Sequence, residues 1–410
     1  MKKIIGLILL LSQTVLAQHD KLCGTKQPQV DFSTIRNIQF DKYRIETDEP
    51  FVIPVIVHIF HIGEAVGEGS NISAEQVYSQ FEVLNEDFNR SNADQTNTPK
   101  GFQNVAGSAN IRFVPARIDP KGQKLSEAGI HRILGKKFDY TIDELEKDTI
   151  SKTIWNPTQY LNIILVGNIS GGFIGFNSHF PDKSNLEGLK DIHGTANIDA
   201  ITIRHNRFGS YQKFKAKQLE GQRNNIGRTA THEIGHYLGL IHIWGNSGGC
   251  NDDDFCKDTP LVSQPSSGCP VDKMACNNSA AMVQNYMDYS DDFCMNLFTK
   301  DQVARMRQVL KNSPQRKELN NSPVLRIENE DITEKIIIYP NPTSDFVQLI
   351  SSSKNTFLDY ELYNYLGQKI ANGTIENQKI DMRPFAKGVY LLKIRTEKNQ
   401  FFTQKILKIE

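Results

Sequence analysis

Thr231-His232-Glu233-Ile234-Gly235-His236-Tyr237-Leu238-Gly239-Leu240-Ile241-His242 is the stretch on which the reading of this chain turns. On a helix, His232 and His236 stand four residues apart, so both imidazoles leave one face toward a common point. Glu233 lies beside them but displaced around the helix, where it can draw a proton from water rather than ligate. Gly239 takes a positive φ readily, ends the helix and lets the chain turn sharply. The turn returns His242 as a third imidazole. Three neutral imidazoles suit Zn2+ and leave a fourth tetrahedral position open, which separates catalytic from structural zinc sites. Zinc there would lower the pKa of water toward about 7 and polarise a carbonyl, with Glu233 as general base. A lone histidine on an apolar helix face is usually packed in a core. His58, His61, His179 and His193 lack this spacing and are read that way, or as surface residues. The combined pattern points to amide hydrolysis.

The flanking sequence predicts the frame. Residues 52–60 form an apolar strand, and residues 74–90 a helix with Val77, Phe81, Leu84 and Phe88 at helical spacing and Ser73 as N-cap. Strands follow at 111–118, 160–166 and 198–203. The run 171–176, Gly-Gly-Phe-Ile-Gly-Phe, reads either as an edge strand beside a cleft or as a turn before a buried strand. The helix carrying the histidines begins at Gly227 and ends at Gly239, and a closing helix spans 298–311. This mixture makes an α+β domain: a twisted sheet with an active-site helix and an irregular lower part. That lower part, 246–292, is rich in Gly, Asp, Ser, Pro and Cys, and such a long irregular stretch needs covalent pinning.

The ends of the chain carry addresses. Lys2 and Lys3, the apolar run 4–11 and the small-residue site near Ala17 predict a signal peptide over 1–17. A polar prosegment over 18–50 follows, then a catalytic domain over 51–319. No later apolar run is long enough to span a membrane. The 410 residues hold 47 basic and 47 acidic side chains, a balance that gives no reason to expect a nucleic-acid partner. Five of the six cysteines crowd into 250–294, which in an exported protein reads as disulfides. After a polar linker, short strands at 335–339, 346–350, 358–363, 369–371 and 389–394 predict a small all-β sandwich over 332–410.

The histidine pattern resembles the metzincin clan of zinc peptidases. Its second hallmark, a methionine turn, has a match in Asn285-Tyr286-Met287-Asp288-Tyr289. Within that clan residues 18–315 resemble the pappalysin family, and its bacterial members in particular. The specific matches are Gly249-Cys250, Asp254 with Asp258-Thr259-Pro260, Gly268-Cys269-Pro270, and Tyr286 through Cys294. The resemblance implies that Met287 floors the metal site and that Tyr289 hydrogen-bonds the tetrahedral intermediate. It implies the disulfides Cys250–Cys276 and Cys269–Cys294, and a Ca2+ ion held by Asp254, Asp258 and Thr259. It also implies a latent zymogen in which Cys23, within Leu22-Cys23-Gly24-Thr25, is a fourth zinc ligand. A preference for Arg just after the scissile bond would be read by Asp291 or Asp292. Cys256 is additional to the family pattern, and a Cys23–Cys256 disulfide is the rival to the ligand reading.

The C-terminal unit resembles the sorting domain of the type IX secretion system, through Ile338-Tyr339-Pro340-Asn341-Pro342-Thr343, 362–368 and 388–394. That implies export through the periplasm to the cell surface or medium, with the type IX machinery as partner and proteins or peptides as substrates. The alternative for this unit is an adhesive or carbohydrate-binding sandwich. For the whole chain the alternative is a surface binding module with a structural zinc, but such a site has no use for an unligated Glu233.

Overall fold

The computed structural model describes residues 21–27, 50–182, 186, 189, 196–246, 248–325, 336–351, 357–397 and 401–409. The expected signal peptide, most of the stretch 18–50 and His193 lie outside them. Among the described residues no helix is long and apolar enough to cross a membrane.

A seven-stranded mixed sheet organises the larger unit. Its strands are β1 (Lys21–Cys23), β2 (Phe51–His61), β3 (Ile111–Pro115), β4 (Ile130–Leu134), β5 (Leu161–Val166), β6 (Phe173–Asn177) and β7 (Ala200–Arg204). The path runs β1-β6-β7-β5-β2-β3, and β4 continues along β2 where β3 leaves off. β2 and β5 are near-continuous apolar runs because both faces are covered, as buried parallel strands require. β6 is antiparallel to β7, whereas β1 pairs with β6 in parallel. Of the two readings of 171–176, the turn before a buried strand is the one adopted: Gly171 and Gly172 turn at φ +90 and +86, and β6 is mostly buried between β7 and β1, which takes the outer edge.

Two helices cross one face. α1 (Ala74–Phe88) starts at Ser73, whose hydroxyl accepts from Gln76 N–H. Its apolar stripe packs into the main core, while the buried Gln76 donates to His205 O and Phe208 O. Gln80 donates to Gly227 O and accepts from Gly209 N–H, which fixes the approach to the next helix. That helix, α2 (Arg228–Tyr237), is entirely buried. α3 (Lys300–Asn312) closes the unit behind a Thr299–Gln302 capping box. It begins two residues later than expected, because Phe298–Thr299 pair as a short strand with Ala106–Gly107. The C-terminal unit is the expected sandwich, with a three-stranded and a four-stranded sheet around Val347, Leu349, Leu362, Leu392 and Ile406.

Candidate metal centre and active site

Gly227 stands at φ +97 before α2, where an added Cβ would come 3.0 Å from the Gln80 side chain. Asp292 Oδ2 accepts from Ile226 N–H (3.1 Å) and Arg228 N–H (3.2 Å), so a buried carboxylate sits at the positive end of the helix. At the other end Gly239 adopts φ +87, and the chain reverses toward His242 as expected.

The three imidazoles meet. The Nε2 separations are 3.2 Å for His232–His242, 3.1 Å for His232–His236 and 3.1 Å for His236–His242. Tetrahedral zinc with bonds of about 2.0–2.1 Å would set them about 3.3–3.4 Å apart, so the donor set fits the ion. Each of two rings has its other nitrogen committed to a carbonyl. His232 Nδ1 donates to Tyr286 O (2.7 Å) and His236 Nδ1 to Leu240 O (2.8 Å), which leaves Nε2 as the lone-pair atom. Burial lowers the pKa of all three, His232 to about 4, so neutral ligands are favoured. Trp244 stacks on His242 with centroids 4.3 Å apart and planes 10° apart. Met287 is fully buried beneath α2, and a Cβ on Gly235 would fall 2.4 Å from its sulfur. Only glycine in mid-helix lets the methionine turn close.

Cys23 comes to the same place. Its sulfur and the three histidines form a group whose ligand atoms lie within 4.8 Å of one another. β1 delivers it through the pairing Cys23↔Gly175 and the bond Gly24 N–H to Gly175 O, 2.9 Å. The thiol donates to Glu233 Oε2 at 3.5 Å, and Thr25 Oγ1 donates to the same oxygen at 2.9 Å while accepting from Asn177 N–H at 2.8 Å. Glu233 is fully buried, its Oε1 has no partner, and burial pushes its carboxyl up to about 8. Tyr289 OH donates to Cys23 O at 3.4 Å, and its ring packs edge-on to His242.

The irregular lower part is pinned by Cys250–Cys276 and Cys269–Cys294, with Cα separations of 5.7 and 5.9 Å. Cys23 and Cys256 are both free thiols, so the rival disulfide between them is not formed. Asp254 Oδ1 accepts from Thr259 Oγ1 (2.6 Å) and Cys256 N–H (3.1 Å). Asp254 Oδ2 and Asp258 Oδ1 are buried without a partner, and burial raises both carboxyls. Among the described residues these two carboxylates gather no third acidic, histidine or cysteine ligand.

A cleft of about 270 Å³ opens beside the histidines, lined by Ile174, Thr229, His232, Glu233, Asp292 and Met295 among others. Asp292 lies in that wall, whereas Asp291 is outside it and pairs with Arg223. Residues that sequence reasoning passed over are Thr25, Asp87, Gly175, Gly235 and Trp244. Gly235 alone carried a local signal, since a mid-helix glycine costs about 1 kcal/mol against alanine and needs a reason.

A glycine-ended helix presenting two histidines, a third beyond the turn and a methionine turn beneath them define a metallopeptidase of the metzincin type. Comparison with known proteins narrows this. Residues 144–311 match the family described as pregnancy-associated plasma protein-A, and residues 337–409 match the secretion system C-terminal sorting domain. An extracellular metalloprotease of Verticillium alfalfae is 29% identical over 299 residues, covering 71% of this chain and 91% of its own. Mature mirolysin of Tannerella forsythia in complex with a cleaved peptide superposes with TM-score 0.58 at 35% identity, over 69% of this chain and 100% of its own. A promirolysin mutant of the same organism gives 0.60 at 33% identity, over 75% of this chain and 100% of its own. The chain belongs to the pappalysin family: it is a zinc metalloendopeptidase, secreted or displayed at the cell surface, with a C-terminal sorting domain.

Proposed function

We propose that the chain is a latent endopeptidase precursor whose zinc is held by His232, His236 and His242, with Cys23 as fourth ligand until the prosegment leaves. The observation that carries this reading is the convergence of the three Nε2 atoms, the Cys23 thiol and the Glu233 carboxylate in one buried place. Zinc, when bound, supplies a Lewis acid that polarises the scissile carbonyl and makes water a nucleophile at neutral pH. Glu233 takes and returns the proton, and the unpartnered Oε1 is the oxygen available for it. Tyr289, once released from Cys23 O, offers its hydroxyl to the developing oxyanion. The substrate strand occupies the edge of β6 that β1 holds in the precursor. Residues 18–50 are then the prosegment, 51–319 the catalytic domain and 332–410 the part recognised by the type IX machinery, after a signal peptide over 1–17.

Asp292 supports a preference for arginine just after the scissile bond. Its Oδ2 is committed to the helix amides, and its place in the cleft wall leaves Oδ1 for a guanidinium. Asp292→Asn keeps an oxygen for the amides but loses the charge. It should erode the preference for Arg over Leu about 10- to 100-fold, the equivalent of a charged hydrogen bond. A peptide-library digest reads this directly, and absence of any basic preference in the unmodified enzyme would sink the idea.

The orphaned oxygens of Asp254 and Asp258 support a calcium ion beside Thr259. A calcium-selective chelator should then lower the melting temperature and the activity while the zinc content stays at one per chain. Unchanged melting at saturating chelator contradicts it.

A further inference from the structure

We infer that Asp87, on α1 and outside the metal's reach, is a positioning residue that sets the orientation of His232 through Tyr286 and Thr231. The inference rests on the reading that the three histidines hold zinc. Asp87 is 1% exposed at its side chain and accepts hydrogen bonds from three residues. Oδ1 accepts from Tyr286 OH (2.8 Å) and from Arg228 Nη2 (3.1 Å). Oδ2 accepts from Thr231 Oγ1 (2.8 Å) and from Arg228 Nε (3.3 Å). Thr231 is the residue before His232 on α2. Tyr286 is the residue before Met287, and its carbonyl receives His232 Nδ1–H. One carboxylate therefore grips the helix that carries the ligand and the turn that fixes the ligand's tautomer and ring plane.

The plainer account is a structural ion pair for the buried Arg228. Arg228 already has Asp94, through Nη1–Oδ2 at 2.8 Å and Nη2–Oδ1 at 2.9 Å, and it donates to two carbonyls of the loop after Tyr289. Charge compensation alone gives Asp87 no reason to take the Thr231 and Tyr286 hydroxyls as well. The other ligands do not depend on it. His236 is fixed by Leu240 O within its own turn, and His242 is stacked on Trp244. His232 is the ligand whose orientation is set across 54 residues of sequence, and Asp87 is where that long-range contact is anchored.

The test uses the full-length chain with Cys23 in place, and the variants Asp87→Asn, Tyr286→Phe and Asp94→Asn. Zinc affinity is measured by competition with a chromophoric chelator, the ligand field by the visible spectrum of the cobalt-substituted protein, and stability by melting of the metal-free chain. Asp87→Asn and Tyr286→Phe should each weaken zinc binding by about 10- to 100-fold and alter the cobalt spectrum, as loss of a ligand's outer partner does. Asp94→Asn should lower the melting temperature and leave zinc affinity and spectrum unchanged. Tyr286→Phe keeps its volume, so it reads the link even where Asp87→Asn folds poorly. Unaltered zinc affinity and cobalt spectra in both variants would overturn the inference, as would an equal loss in Asp94→Asn. Uptake of no zinc by the unmodified chain contradicts the metal reading and this inference together.

Discussion

Glu233→Ala should leave one zinc ion bound per chain while peptide hydrolysis falls by about 10²- to 10⁴-fold. Under the proposed mechanism, ligation and proton transfer belong to different side chains. The three Nε2 atoms sit 3.1–3.2 Å from one another, and the carboxylate stands beside them, bonded to Thr25 and Cys23. Removing it takes away no donor from the histidine set. It does remove the buried acceptor, and alanine has nothing with which to replace it. The variant should therefore retain the metal-dependent rise in melting temperature of the unmodified chain and lose turnover. Near-normal cleavage by a zinc-loaded Glu233→Ala chain contradicts the assignment of the base.

Cys23→Ala should convert the silent precursor into one that cleaves peptides or matures itself early. A thiolate is a stronger zinc ligand than water and holds the position that water needs. The segment around it blocks the site twice more. β1 pairs with the free edge of β6, and Thr25 Oγ1 sits 2.9 Å from Glu233 Oε2. The single variant should thus regain part of the activity, and Cys23→Ala with Thr25→Val more of it, since valine cannot bridge Asn177 N–H and Glu233. Gly24 belongs to the same device, because a Cβ there would meet Ile142 at 2.8 Å. Free-thiol labelling after metal removal should find both Cys23 and Cys256 in the unmodified precursor. A precursor that stays fully latent as Cys23→Ala contradicts the switch.

The histidine cluster was legible because it is local: helical spacing and one glycine turn place His232, His236 and His242 within eleven residues. The methionine turn and the two disulfides came through likeness to a family, and no spacing rule would have brought Cys250 to Cys276 across the irregular loop. Strand β2 announced itself as a run of apolar residues. β4 did not, since Ile130-His131-Arg132-Ile133-Leu134 is polar in the middle, with Arg132 bonded to Glu127. His131 Nδ1 lies 2.9 Å from the buried His58 Nδ1, whose other nitrogen bonds Asn162, a structural role for His58 as expected. The last strand, Phe401–Lys408, was missed because its alternation pairs apolar residues with Thr, Gln and Lys on an exposed edge. Asp87 was invisible for a different reason. It lies on a helix read by its apolar periodicity, and its importance comes from partners 141 to 199 residues away. Asp291 and Asp292 are adjacent in sequence and were read together, yet successive side chains diverge. One pairs with Arg223 and the other enters the cleft wall.

A single zinc position contested by Cys23 and water is tested most directly by X-ray absorption at the zinc edge. The unmodified precursor, loaded with one zinc per chain, should show three nitrogen neighbours at about 2.0–2.1 Å and one sulfur at about 2.3 Å. Cys23→Ala should show the same nitrogens with the sulfur replaced by a light atom. A precursor whose zinc has only nitrogen and oxygen neighbours, or a sulfur neighbour that persists in Cys23→Ala, would contradict the account.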